Sequence, residues 1–423
     1  MTNDERSTNA QMTQHPERAR RDSDFVIPSG VVIRHSSLSS GLIATSAQLG
    51  ELLEKIARVD RVAVDTEADS LHCYREKLCL IQISLPARER RGSIERSALD
   101  ANLGAESDLV DIARRSARST SDYIVDPLTD VDLELLCAAL AEKEIVLHGA
   151  DFDLRLLRRG LNFSARRIFD TVIAARLLGI REFSLAALVK RHFGVELGKG
   201  SQKANWGRRP LPARMIEYAM NDTHYLLPLA DCLESELRER DRLDWLRQSC
   251  QRALEQAAVE RVRDEDELWR IRGSASLRGR EAAVLRALWQ WRENEAEAAD
   301  RPSFHILQNH ELLNAATSFV SGSMPDYKHF SSRRRQAFRQ AAQAATQLPE
   351  SEWPVLRRRF GTRPGQGTVR RAEELRHRRD RAAKELDLEP AFIASRTTIE
   401  AIAADETRAS TLLVPWQRAA LDL

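Results

Sequence analysis

The chain has 423 residues, 42% of them hydrophobic and 30% charged, with a net charge of +2. That length exceeds one ordinary hydrophobic core and sets two or three domains as the expectation, and the charge balance is too mild to announce a nucleic-acid partner by itself. Five cysteines without a Cys-x-x-Cys pair speak against a disulfide scaffold or structural zinc and for a reducing compartment, with the cytoplasm as the default; no apolar run reaches membrane-span length.

The first 25 residues are polar, carry both signs of charge and lack an apolar stretch, so they read as a disordered tail and not a signal peptide. A first folded domain is expected over 26–250. Leu42-Ile43 opens a short strand, and Thr45-Ser-Ala-Gln48 has the form of a capping box for a helix over 47–57. Strand candidates follow at 61–67, 78–85 and 123–125. The second is largely apolar, as in a strand buried on both faces. The pattern then alternates: helix 133–140, strand 144–148, helix 152–159, a short strand at 168–169, and helix 171–178 stopped at Gly179. Strands that meander and then alternate with helices predict a mixed sheet with helices on both faces. Between the second and third strands, 87–121 is rich in Arg, Glu, Ser and Asp; it is long for a connection and reads as a surface insertion.

The informative positions are acidic. Asp65 and Glu67 end an apolar run two residues apart, so on a strand their side chains share a face. Asp153 lies where strand 144–148 runs into the next helix, the strand end at which α/β sheets place ligands. Tyr218 and Asp222 are four apart and share a helix face. Four convergent carboxylates form the oxygen-donor set that a pair of hard divalent cations needs. Each residue also has a plain structural reading. Asp65 and Glu67 taken alone are solvated strand-end acids. Asp151 competes with Asp153 or caps the helix, and His148 and His224 read more readily as packed histidines.

In their order along the chain, Asp65-Thr-Glu67, Asp153 within Leu147-His-Gly-Ala-Asp-Phe-Asp-Leu154, and Tyr218-x-x-x-Asp222 resemble the three motifs of the DEDD 3′→5′ exonucleases in their tyrosine-containing form. Within them, the chain resembles the ribonuclease D family. Leu78-Cys-Leu-Ile-Gln-Ile-Ser84 and Trp206-Gly-Arg-Arg-Pro-Leu-Pro212 are similar to that family too, and the resemblance spans roughly 41–239. It implies a ribonuclease-H-like α/β fold and hydrolysis of RNA 3′ ends to nucleoside 5′-monophosphates, in tRNA 3′ processing or RNA turnover. It also implies two Mg²⁺ per site, with Mn²⁺ as a substitute. Asp65, Glu67, Asp153 and Asp222 would hold them, with Asp65 bridging and Asp153 binding through water or from just outside. Tyr218 would orient the attacking water, and the Thr66 backbone would lie against the terminal nucleotide. His148, Gln202, Lys203, Trp206 and Arg208 complete the candidate substrate contacts. Trp206 either stacks on a base or closes its loop against the core, and Lys199 and Arg209 are further phosphate candidates. A DNA exonuclease of the repair or proofreading kind uses the same acids. A catalytically silent nucleic-acid-binding adaptor is a third reading, against which the intact acids and Tyr218 argue. RNA, with tRNA precursors foremost, is the expected partner; no membrane and no obligate protein partner are implied.

From about residue 264 the chain reads as helical. Arg286-Ala-Leu-Trp-Gln-Trp-Arg292, Arg301-Pro-Ser-Phe-His-Ile-Leu307 and Glu311-Leu-Leu313 resemble the helicase-and-RNase-D C-terminal (HRDC) domain, expected over 264–350. Leu375-Arg-His-Arg-Arg379, Glu389-Pro-Ala-Phe-Ile-Ala394 and Thr398-Ile-Glu-Ala-Ile402 read as a second, shorter copy over 368–423, joined by a glycine-containing linker at 351–367. The HRDC glycine hairpin is not recognisable around 324–330. Arg333-Arg-Arg335, Arg357-Arg-Arg359 and Arg370-Arg371 suggest a basic platform for phosphates, against the plain reading of solvated helix faces. These modules carry no candidate ligand, so they are expected to be separable from the chemistry. The fold class expected for the whole is an α/β ribonuclease-H-like exonuclease domain followed by one or two all-α helical bundles.

Overall fold

The computed structural model describes residues 41–86, 120–198, 200–259, 264, 267–354 and 364–423. The expected N-terminal tail, the insertion as far as residue 119, Lys199 and Arg357-Arg-Arg359 lie outside the described residues. Six strands form one mixed sheet: β1 (Leu42–Ile43), β2 (Arg61–Ala68), β3 (Leu78–Pro86), β4 (Thr120–Val125), β5 (Glu144–Leu147) and β6 (Arg167–Asp170), in the spatial order β1-β4-β3-β2-β5-β6. β3 pairs antiparallel with β2 and β4, while β2–β5, β5–β6 and β1–β4 are parallel. Every β3 residue except its last is buried, which explains the unbroken apolar run. Ile81, Ile83 and Leu85 join the main core, while Leu80 joins a smaller cluster on the opposite face.

The helices of this region are α1 (Ser46–Ile56), α2 (Glu134–Ala141), α3 (Asp151–Leu161), α4 (Thr171–Leu177), α5 (Leu185–Phe193), α6 (Ala213–His224), α7 (Leu226–Glu239) and α8 (Leu243–Ala258). α1 opens with the Thr45–Gln48 capping box. Helix α6 lies across β2, β3 and β4, where Thr223 Oγ1 accepts from Ser84 Oγ at 2.8 Å. The sequence reading assigned no element to α5, α7 or α8, all of which pack on the core. Residues 120 and 121, expected in the insertion, belong to β4.

The next four helices, α9 (Gly279–Ala298), α10 (Ser303–Ile306), α11 (Asn309–Val320) and α12 (Ser332–Thr346), enclose an apolar cluster of their own around Trp269, Leu288, Trp291, Phe319 and Phe338. The order of long helix, one-turn helix and medium helix then recurs in α13 (Gln366–Leu386), α14 (Pro390–Ile393) and α15 (Arg396–Ala404), followed by the short α16 (Ala409–Leu412) and α17 (Pro415–Ala419). This second copy does not stand free of the sheet domain. Leu375, Leu388, Ile393, Ile399 and Trp416 belong to the same core as the sheet. Trp416 stacks on Trp245 of α8 at 5.0 Å, and Arg242 donates to the carbonyls of Leu177 and Leu386. The second copy has only short helices where α12 stands in the first, so its apolar face is buried against the sheet domain instead. The arginine platform is also reduced. Arg334 pairs with Glu295 at 3.0 Å, Arg335 with Asp326 at 2.5 Å, and Arg371 with Glu406. Among the described residues no helix is long and apolar enough to cross a membrane.

Candidate metal centre

A difference in strand length opens the site. β5 pairs with β2 only at Arg61, Val62 and Ala63, so the second half of β2 runs on past the end of β5. The chain leaves β5 at Leu147, turns at Gly149 with φ of 79°, and enters α3 at Asp151. That φ favours glycine, since a Cβ there is strained. Asp170 holds the turn. Its carboxylate accepts from the amides of Gly149 at 3.0 Å and Ala150 at 2.9 Å while capping α4 through the Val172 amide at 2.8 Å. The first turn of α3 therefore meets β2, and Asp153 Oδ1 accepts from the Thr66 amide at 3.1 Å and from Thr66 Oγ1 at 2.5 Å. Asp65 and Glu67 meet the last turn of α6, and carboxylate oxygens of Asp65, Glu67 and Asp222 lie within 4.8 Å of one another. One turn back on α6, Tyr218 lies beside Asp222 and Gln202.

Such crowding is costly to charge. Burial, followed by repulsion from Asp153, Asp222 and Glu67, holds Asp65 well above the usual carboxylate range. Burial, followed by Asp222 and Asp153, pushes Glu67 up to about 9. Burial raises Asp222 to about 7 against the Tyr218 bond, and Asp153 to about 6 against the bonds from Thr66. Burial and then the neighbouring acids also push the Tyr218 phenol up, so at neutral pH it is a hydrogen-bond donor and not a base. A cluster made only of oxygen donors, every acid in it pushed up by burial, fits a divalent cation, which offsets the repulsion among them by charge.

Other candidates fall into two groups. Gln202 reaches Tyr218, and Gln202, Lys203 and Arg208 are exposed. Thr66 is buried and tied to Asp153. Asp153 is not one of the three acids within 4.8 Å; one oxygen is engaged by Thr66, so it stands behind the cluster. Burial lowers His148, whose Nδ1 pairs with Thr171 Oγ1 at 2.8 Å as a structural histidine does. Two loop residues correct the sequence reading. Trp206 is 1% exposed and packs on Leu80, Met215 and Ala219, with its ring 6.2 Å from that of Tyr218; it has no face to offer a base. Arg209 grips buried Asp126 through Nε and Nη2, both at 2.6 Å, and donates to the Cys79 and Trp206 carbonyls, so it anchors the loop and does not project to a phosphate. Asp151 pairs with Arg155 at 2.9 Å and caps nothing. His224 binds Asp122 at 2.7 Å in a buried network. Sequence reasoning passed over Asp170 and Gln82, whose signals were an Asp directly before a helix and a polar residue within an apolar strand.

The sheet and its converging acids define a 3′–5′ exonuclease domain. Residues 41–102 and 94–238 match the 3′–5′ exonuclease family and residues 281–319 the HRDC domain. Over 283 residues the chain is 31% identical to ribonuclease D of Zymomonas mobilis, covering 65% of this chain and 63% of that protein. It is also 31% identical over 287 residues to exosome complex component 10 of Mus musculus, covering 65% of this chain and only 28% of that longer relative. The fold is similar to that of Escherichia coli RNase D (TM-score 0.61, 21% identity, 90% of this chain and 98% of that one) and to a protein from Bifidobacterium adolescentis (TM-score 0.69, 20% identity, 90% and 94%). With its exonuclease domain followed by an HRDC domain, the chain is similar to the ribonuclease D-like 3′–5′ exonucleases.

Proposed function

We propose that this protein is a Mg²⁺-dependent 3′→5′ exoribonuclease that shortens RNA one nucleoside 5′-monophosphate at a time, with tRNA precursors as its substrates and the cytoplasm as its compartment. The observation that carries the reading is the convergence of Asp65, Glu67 and Asp222 within 4.8 Å beside a protonated Tyr218. Relatives named ribonuclease D support RNA as the substrate, and the RNase D of similar fold is described as an exoribonuclease of structured RNA processing. Asp65, Glu67 and Asp222 hold the cations, two per site, with Mn²⁺ able to replace Mg²⁺. Bound there, a divalent cation lowers the pKa of water and stabilises the departing 3′ oxygen. Tyr218, kept as a phenol, orients the nucleophile by hydrogen bonding and leaves proton removal to the carboxylates. Asp153 holds Thr66 and adds negative potential behind the three ligands. Lys203 and Arg208, exposed beside Gln202, meet phosphates.

A time course on 5′-labelled RNA tests this. A ladder shortening by single nucleotides with Mg²⁺, and no shortening with chelator, is expected. Asp65→Asn and Asp222→Asn should each lower the rate by orders of magnitude without loss of fold. Cleavage of a circular RNA, faster degradation of a matched DNA, or near-normal turnover in either variant would overturn the reading.

A further inference from the structure

Gln82 sits in the middle of β3 with no exposed surface, and both its Oε1 and its Nε2 are buried without a hydrogen-bond partner among the described residues. An amide buried in this way is unfavourable, and an apolar residue of the same volume would serve packing better. Its place in the sheet says what it is near. Leu80 packs with Met215 and Ala219 of α6, and Ser84 donates to Thr223 of the same helix. Gln82 lies between them on a strand of period two, so it faces α6 as well. Across the antiparallel ladder its partner on β2 is Asp65, and such pairs carry their Cβ atoms about 5 Å apart. Above them is Asp222, with an oxygen within 4.8 Å of one on Asp65.

The other acids suggest what is missing. Asp153 receives a side-chain hydrogen bond from Thr66 Oγ1, and Tyr218 stands one turn from Asp222 on the same face of α6. For Asp65, the side chain opposite on the ladder is Gln82. An acid that holds a cation through one oxygen needs its other oxygen oriented, and the groups that do so act from outside the ligand set.

We propose that Gln82 is a positioning residue for the cation site: its Nε2 donates to the Asp65 carboxylate and fixes the ligating orientation of that acid. The inference rests on reading the acidic cluster as a cation site.

Gln82→Met in the full chain separates positioning from packing. The probe is Mg²⁺ alone, read by calorimetry and by its shift of the melting temperature. The variant is expected to melt no lower than wild type without Mg²⁺, because no bond is lost. Its Kd for Mg²⁺ is expected to rise roughly 10–100-fold, the usual effect of removing such a partner, and turnover should return as Mg²⁺ is raised. Gln82→Leu repeats the test with a second apolar side chain. An unchanged Kd in either variant overturns the proposal. So does failure of both to fold, since that would make the amide a requirement of the cation-free structure. Asp65→Asn is the control. If wild type shows no saturable Mg²⁺ binding, or Asp65→Asn binds like wild type, the cation site itself is refuted. If those two differ as expected and Gln82→Met binds like wild type, only the role of Gln82 falls.

Discussion

Cation binding should be strongly pH-dependent, in a direction set by the acids themselves. In the folded protein burial, with repulsion among the acids, pushes Glu67 up to about 9, Asp222 to about 7 and Asp153 to about 6, with Asp65 also raised. In the unfolded chain these groups titrate near about 4. The folded state therefore binds more protons, and the stability linked to them is full below about pH 4 and lost as pH rises through the folded values. Each such proton gives a slope of about 1.4 kcal/mol per pH unit. Between neutral pH and about 9, Glu67 supplies that slope. A cation must displace the proton, so its apparent affinity should tighten roughly tenfold per pH unit for each proton released. At saturation each tenfold gain adds about 1.4 kcal/mol to stability, or about 3–5 °C in a domain of this size. The assay is a Mg²⁺ series followed by thermal melting at about pH 6.5, 7.5 and 8.5, with calorimetry in two buffers to count released protons. An affinity flat across that range, or binding without proton release, would refute the argument.

Tyr218→Phe removes only a hydroxyl beside Asp222 and Gln202; single-turnover rates should fall roughly 10²–10⁴-fold with little change in RNA affinity, and a selective loss of affinity would move the residue to substrate docking. Arg209→Met leaves Asp126 buried without its two 2.6 Å bonds and should cost about 3 kcal/mol, the lower end for a broken buried pair because Arg209 is partly exposed; chemical denaturation would show it, and an RNA-affinity loss at full stability would restore the phosphate role. Truncation before residue 365 uncovers Trp245 and the core shared with Leu375, Ile399 and Trp416, so the shortened chain should melt well below wild type or aggregate. An unchanged melting curve would make the second copy a separate module after all.

Much of the site was legible in the sequence because its geometry is local. Two residues apart on a strand and four apart on a helix place Asp65 with Glu67 and Tyr218 with Asp222 whatever the rest of the chain does. The apolar runs of β2, β3 and β5 and the stop at Gly179 are local in the same sense. The rest depended on which surface covers which. In the sequence Trp206 and Arg209 look alike, as loop residues open to a nucleotide; only the packing of α6 against β3 buries the first, and only the approach of Asp126 from the end of β4 engages the second. Gln82 is a polar letter in an apolar strand until the ladder sets it opposite Asp65. The second helical copy repeats the pattern of the first, yet a helix's apolar stripe does not name the surface that buries it. Without a long helix in the place of α12, that surface is the sheet domain, and only the tertiary structure decides it.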